Sequence, residues 1–271
     1  MKLGQNFLID KNIADKIVGL AALDTTSRVV EIGPGRGILT ERILEKIEKL
    51  TAIEIDESLT ENLKAKFKSE IEANRLILIH NDVLQVNWDH FRGPLIIISN
   101  LPYQITSPIL FLLQGLGATV ERMILMMQKE VGDRLLAEPC TKDYGAITIF
   151  LQNDFEITKL FKVPPSVFSP RPKVDSIVLK LNRRSKPLLN ISDDDFFKRV
   201  VKGAFGTRRK TLKNALKHAG ILLSEKEATN LKTTTGIDPV RRGETLTISE
   251  FHALYAYLKQ SKQIFLPSLA P

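Results

Sequence analysis

The sequence contains one cysteine, Cys140, and four scattered histidines in 271 residues. A lone thiol cannot close an intramolecular disulfide, and nowhere do Cys and His gather into the closely spaced ligand sets of a zinc site. No metal is therefore expected. No run of eighteen apolar residues occurs, which argues against a transmembrane helix. The N-terminal MKLGQNFLIDKN lacks the apolar core and cleavage site of a secretory signal, so a cytoplasmic protein without a membrane partner is expected.

What is present is an ordinary apolar content, 43%, with 26% charged residues. The length suits one substantial core with a smaller second unit. The net charge of +8 is unevenly placed: from Lys186 onward there are 15 Lys/Arg against 8 Asp/Glu, so the first 185 residues are nearly neutral. A basic segment joined to a neutral one suits a polyanionic partner, though charge alone does not separate RNA, DNA and anionic lipid.

Hydrophobic periodicity predicts a helix over NIADKIVGLAAL (12–23), then short buried strands at RVVEIG (28–33), LTAIEID (50–56), RLILIHND (75–82) and PLIIISNLPY (94–103). Helix-like segments separate the first three. This alternation predicts a largely parallel sheet covered on both faces, with its ligand beyond the carboxyl ends of the strands. Residues 107–116 and 133–138 read as helical, AITIFLQNDFEITKLFKV (146–163) as strand, and VDSIVLKLNR (174–183) as a last strand. Between the last two, PPSVFSPRPK (164–173) has four prolines in ten residues and is excluded from regular structure. The polar stretch at 184–192 marks a domain boundary, giving residues 1–185 and 186–271. The second domain reads as a small helical bundle, with helices broken near Gly206 and two more at 223–230 and 249–260.

Two motifs carry chemistry. In VVEIGPGRGILT, Gly33, Gly35 and Gly37 lie between a strand and a helix, where glycines allow a sharp turn and a close ligand. The spacing is G-x-G-x-G, and an acid, Glu31, stands two residues before the first glycine. A dinucleotide fingerprint has G-x-G-x-x-G and receives a pyrophosphate, which that acid would repel. A cationic cofactor fits better, and S-adenosylmethionine carries both a sulfonium and an amino group. Glu54, at the end of the second strand, is placed to accept ribose hydroxyls, with Ile55 beside it. Asp82 is placed to accept from the adenine amino group, with Val83 as an apolar edge.

The second motif is NLPY, directly after the fourth strand. The Asn100 side-chain carbonyl and the Leu101 backbone carbonyl supply two acceptors for an exocyclic NH2. Pro102 stiffens the turn and Tyr103 offers a ring on which a base stacks. In-line displacement at an activated methyl group asks for alignment more than for a strong base, which agrees with a motif lacking His and Cys. Phe168, in the proline-stiffened loop, is a candidate for the other face of a flipped base. Arg171 and Lys173 of the same loop are candidates for phosphate contacts. From Lys198 to Lys217 there are eight Lys/Arg and no acid, densest at Arg208, Arg209, Lys210 and Lys213, a pattern suited to backbone phosphates.

Taken together, GQNFLID (4–10), EIGPGRGILT (31–40), AIEID (52–56), NDVL (81–84), NLPY (100–103), MMQKEVGDRL (126–135), VPPSVFSPRPKVDS (163–176) and FGTRRKTLKNAL (205–216) resemble the ribosomal RNA adenine dimethyltransferases. RRKTLKNAL favours the small-subunit branch over the related large-subunit resistance enzymes. The resemblance implies a Rossmann-like S-adenosylmethionine-dependent methyltransferase fold with a small helical C-terminal domain. The implied reaction is N6,N6-dimethylation of two adjacent adenosines in the 3′-terminal hairpin loop of small-subunit rRNA, on the assembling subunit, by a monomer. It implies that Gln5, Asn6 and Leu8 line the cofactor pocket with Gly33, Glu54, Asp82 and Asn100. Asn100, Leu101 and Tyr103 would then present the target amine, and Phe168 would match an aromatic that closes on the base. Relatives often carry a basic arm before GQNFL; only Met1–Leu3 stand there in this sequence, which leaves two readings open, the absence of some initial RNA contact or simply a short start.

Overall fold

A computed structural model of the chain describes residues 6–263. The chain divides into two compact units. One runs to Leu136 and resumes over Asp154–Ser185; the other takes Ala137–Asn153 together with the described residues from Lys186 onward. A single cut after residue 185 therefore omits an excursion of seventeen residues, 137–153, into the C-terminal unit.

The first unit opens with β1 (Phe7–Leu8) and α1 (Lys11–Leu20). Asp10 caps α1 by accepting from the N–H groups of Asn12 and Ile13, a bond set worth about 1 kcal/mol. There follow β2 (Val29–Ile32), α2 (Ile38–Leu44), β3 (Leu50–Glu54), α3 (Glu57–Lys66), α4 (Lys68–Glu72), β4 (Leu76–His80), β5 (Leu95–Asn100), α5 (Thr106–Gly115), β6 (Val120–Gln128) and α6 (Lys129–Leu135). After α7 (Ala146–Asp154), the strands β7 (Phe155–Val163), β8 (Phe168–Ser169) and β9 (Ser176–Arg183) complete the sheets. The seven-stranded sheet has the order β4-β3-β2-β5-β6-β9-β7. From β4 to β6 it is parallel, and β9 and β7 are antiparallel. All four residues of β2 and five of the six of β5 are buried, as expected for central parallel strands covered on both faces. The strand order reverses between β2 and β5, and the loops leaving these two strands flank a crevice at the sheet's carboxyl edge.

Three pattern readings need correction. Residues 146–163 are not one strand: the first half is α7 and only the second half, β7, joins the sheet. An apolar run such as AITIFL has no period that separates strand from helix. Here the Thr148 side chain accepts from the Gly145 N–H at 3.1 Å and starts the helix, and the Phe150 ring meets Phe197 edge-on at 6.0 Å within the C-terminal unit. In addition, β6 is a central strand that the pattern leaves unassigned. Finally, the proline-rich loop holds a short strand, β8, which pairs antiparallel with β1.

The C-terminal unit is helical. Besides α7 it contains α8 (Asp194–Gly206), α9 (Leu212–His218), α10 (Glu225–Thr235) and α11 (Ile248–Gln263). Phe197, Val200, Val201 and Ala204 bury one face of α8; Leu212, Ala215 and Leu216 do the same for α9. A reciprocal cap between Ser224 and Glu227 starts α10, and Gly236 in a left-handed conformation ends it. No helix of the described residues is long and apolar enough to cross a membrane.

Candidate active site

At the carboxyl edge of the sheet lies a cavity of about 220 Å³, walled by the segments that follow β2, β3, β4 and β5 and by the start of the chain. Gly33 and Gly35 form its β2 wall. At Gly35 φ is +56°, and a Cβ would lie 3.0 Å from the Phe7 ring, so any larger residue both strains the backbone and collides with the opposite wall. Gly37 serves a different purpose. Its φ of +75° starts α2, and a Cβ there would lie 2.6 Å from the Phe67 ring, so this glycine lets α2 pack closely on the following helices.

Glu54 ends β3 and faces the cavity while only 4% exposed. Its Oε2 accepts from Gly35 N–H at 3.1 Å, and its Oε1 accepts from the N–H groups of Ile55 and Asp56, both at 3.0 Å. Burial raises its pKa above the usual carboxylate value, opposed by those three backbone donors. A carboxylate offers about four acceptor sites, so Glu54 pins the glycine loop and keeps roughly one site for a ligand hydroxyl. Capture of two hydroxyls would require a backbone donor to yield. Exposed Ile55, Asp82 and buried Val83 also line the cavity. Asp82 Oδ1 accepts from Leu84 N–H at 2.9 Å, which fixes the turn after β4.

The β5 side is held at several points. Leu101 N–H donates to the Met126 carbonyl at 2.9 Å, and the Pro102 carbonyl accepts from the Thr106 hydroxyl at 3.0 Å. The Tyr103 hydroxyl bonds the fully buried Ser176 Oγ at 2.8 Å. Burial raises the Tyr103 pKa, so its hydroxyl stays protonated across the neutral range. Asn100 Nδ2 donates to the Asn6 carbonyl at 3.2 Å, which orients the amide. Its Oδ1 is buried and has no hydrogen-bond partner. A buried acceptor without a donor carries an energetic penalty that a ligand N–H relieves.

Asn6, Gly33, Gly35, Glu54, Ile55, Asp82, Val83, Asn100, Leu101, Pro102 and Tyr103 are thus brought to one cavity. Four other expected residues are not. Glu31 lies wholly buried in the middle of the sheet, with Oε2 accepting from the Thr40 hydroxyl at 2.7 Å and Oε1 unpartnered; burial pushes its pKa up to about 8. Gly37 is a packing glycine, as above. Leu8 and Phe168 face the core rather than the cavity. They sit opposite each other in the β1–β8 pair, and paired residues share a face, so both side chains point inward. Phe168 is 3% exposed and does not reach the cavity, whereas Phe7, one residue before Leu8, lines it. Strand alternation is the signal that separates Phe7 from Leu8. Gln5 lies outside the described residues.

Of the candidate phosphate contacts, Arg171 and Lys173 are exposed on the first unit. On the second unit, Arg209 and Lys210 are exposed, but Arg208 pairs with Glu244 at 3.1 Å and Lys213 with Glu225 at 2.5 Å. Two of these four cations are thus partly neutralised from within. Among the described residues no group of His, Cys, Asp and Glu could hold a metal ion.

A ribosomal RNA small subunit methyltransferase A from Clostridium acetobutylicum is 43% identical over 256 residues, covering 93% of this chain and 91% of the relative. A dimethyladenosine transferase from Plasmodium falciparum superimposes with a TM-score of 0.79 at 26% identity, covering 95% of this chain and 98% of that one. The 23S rRNA methyltransferase ErmE shares the fold, with a TM-score of 0.68 at 24% identity over 94% of this chain and 100% of that one. The family model described as ribosomal RNA adenine dimethylase matches residues 1–260. The chain belongs to the ribosomal RNA adenine dimethylase family, whose methyl transfer to rRNA adenine is its activity.

Proposed function

We propose that this enzyme uses S-adenosylmethionine to dimethylate the N6 amines of two adjacent adenosines in the 3′-terminal hairpin loop of small-subunit rRNA. It acts as a cytoplasmic monomer on the assembling subunit. The small-subunit branch is supported by the 43% identity to a small-subunit methyltransferase and by RRKTLKNAL.

The observation that carries the chemistry is Asn100 Oδ1, buried at the cavity wall and lacking a donor. S-adenosylmethionine supplies an electrophilic methyl group when bound. Glu54, Asp82 and the backbone at Gly33 and Gly35 are suited to hold its ribose, adenine and main-chain-facing parts. Asn100 Oδ1 accepts one N–H of the target amine and the Leu101 carbonyl accepts the other, which draws the nitrogen toward sp3 geometry and aims its lone pair. Tyr103 supports the base by stacking, worth about 1–3 kcal/mol. No residue of the site acts as a strong base, because the proton leaves after the amine has become cationic.

The test is incubation with labelled S-adenosylmethionine and purified, unmethylated small and large ribosomal subunits, followed by mapping of modified nucleotides. Dimethyladenosine at two neighbouring small-subunit positions supports the proposal. Label confined to the large subunit, or absent from both, overturns it.

A further inference from the structure

We propose that Gln104 selects the base that is methylated: its side-chain amide donates to N7 of the target adenine, beside the amine held by Asn100 and Leu101. The inference deepens the proposed reading of that site and rests on it. Two acceptors at the amine do not by themselves select adenine. Cytosine and guanine also carry exocyclic NH2 groups with two donors, and a tyrosine ring stacks on any base. What sets adenine apart is that both ring nitrogens flanking its amine, N1 and N7, are acceptors. Guanine has an N–H beside its amine. Cytosine matches N1 with its own N3 but has a C–H where adenine has N7. A donor directed at N7 therefore separates adenine from cytosine, and neither Asn100 Oδ1 nor the Leu101 carbonyl is a donor.

Gln104 stands where such a donor is needed. It occupies the middle of the single 3-10 turn Tyr103–Ile105, directly after Tyr103, and it is exposed and lines the same cavity as Asn100 and Leu101. The turn is held on both sides of it: the Tyr103 hydroxyl bonds Ser176 at 2.8 Å, and the Ile105 N–H donates to the Pro102 carbonyl at 3.2 Å. Other polar side chains of the cavity are engaged with their neighbours. Glu54, Asn81 and Asp82 accept from backbone N–H groups, and Asn100 Nδ2 donates to the Asn6 carbonyl. The Gln104 amide makes no hydrogen bond among the described residues, which leaves its two N–H donors for a ligand. Glutamine suits the task, because its amide meets the N6/N7 edge of adenine in direct base readout. Here both N6 protons go to Asn100 and Leu101, so the remaining acceptor of that edge, N7, falls to Gln104. A base flipped into a pocket is read by contacts of this kind.

The experiment measures binding of adenosine, 7-deazaadenosine and cytidine by nuclear magnetic resonance titration of the full chain saturated with S-adenosylhomocysteine, so that the nucleosides meet only the target-base side. Wild type is expected to bind adenosine about fivefold more tightly than 7-deazaadenosine, as for one neutral hydrogen bond. Gln104→Ala is expected to lose that preference, with adenosine weakened about fivefold and the other two nucleosides unchanged. Gln104→Glu, which presents acceptors to N7, is expected to bind adenosine more weakly still. Wild-type affinity of each variant for S-adenosylhomocysteine verifies that the site is folded. A wild type that binds adenosine and 7-deazaadenosine alike, or binds neither, overturns the assignment, as does a Gln104→Ala protein that weakens all three nucleosides equally or none. The same proteins are assayed for methyl transfer to unmethylated small subunits, where Gln104→Ala is expected to lower kcat/KM about fivefold. Small-subunit methylation by wild type together with adenosine binding indifferent to Gln104 would sink the base-selecting role alone; Gln104-dependent adenosine binding without small-subunit methylation would sink the substrate reading alone.

Discussion

Leu8 and Phe168 stand directly opposite each other in the β1–β8 pair and project into the same core. This short clamp ties the start of the chain to the proline-rich loop, while Phe7 and Asn6 turn toward the cavity. Phe168→Ala is accordingly expected to cost about 3–5 kcal/mol of stability, the range for a buried Phe. Phe7→Ala is expected to cost less and to weaken S-adenosylmethionine binding instead. Urea unfolding together with calorimetric titration of the cofactor separates the two. A Phe168→Ala protein of normal stability that fails only in turnover would restore Phe168 to the base-stacking role.

Tyr103 and Ser176 separate the ring from its anchor. Tyr103→Ala is expected to reduce kcat/KM by roughly 5–150-fold, the loss of about 1–3 kcal/mol of stacking. Tyr103→Phe keeps the ring and loses only the 2.8 Å bond to Ser176, so its effect is expected to stay below about tenfold, as for one hydrogen bond. Equal losses in the two variants would show that the hydroxyl, not the ring, matters.

Glu31 makes stability depend on pH in an unusual direction. Its pKa is raised from 4.5 to about 8 by burial, so the folded protein retains a proton that the unfolded chain releases above pH 4.5. Stability from this group is fully present below pH 4.5 and is lost as pH rises toward 8, at about 1.4 kcal/mol per unit. Glu31→Gln removes the titration. The difference in unfolding free energy between variant and wild type is expected to move in the variant's favour from pH 5 to pH 8. A difference constant over that range would mean that Glu31 is ionised in the folded protein.

Much of the fold and part of the site are legible in the sequence, for identifiable reasons. Strands β2, β3 and β5 are almost wholly buried and read as apolar runs, as does the partly exposed edge strand β4, and the glycine loop and NLPY fall after β2 and β5. What is not legible depends on tertiary partners. The α7 segment becomes helical in the company of Phe197, which lies 47 residues beyond Phe150. Glu31 looks like a ligand carboxylate until its fully buried place in the sheet, bonded to Thr40, is seen. Leu8 and Phe7 exchange faces with a shift of one residue, which no motif match resolves. Likewise, Arg208 and Lys213 read as free cations because Glu244 and Glu225, which meet them, lie 36 and 12 residues away.

The measurement that bears most directly on the site is single-turnover methylation by Asn100→Ala on unmethylated small subunits, alongside cofactor affinity. The amide's Nδ2 is tied to Asn6 and its Oδ1 awaits a donor, so the variant loses the acceptor for the target amine. The expected result is cofactor affinity within about threefold of wild type and a methyl-transfer rate lower by ~10²-fold, comparable with loss of one electrostatic contact in other active sites. A normal rate would contradict the amine-positioning role of Asn100, and so would a rate deficit fully restored by saturating cofactor.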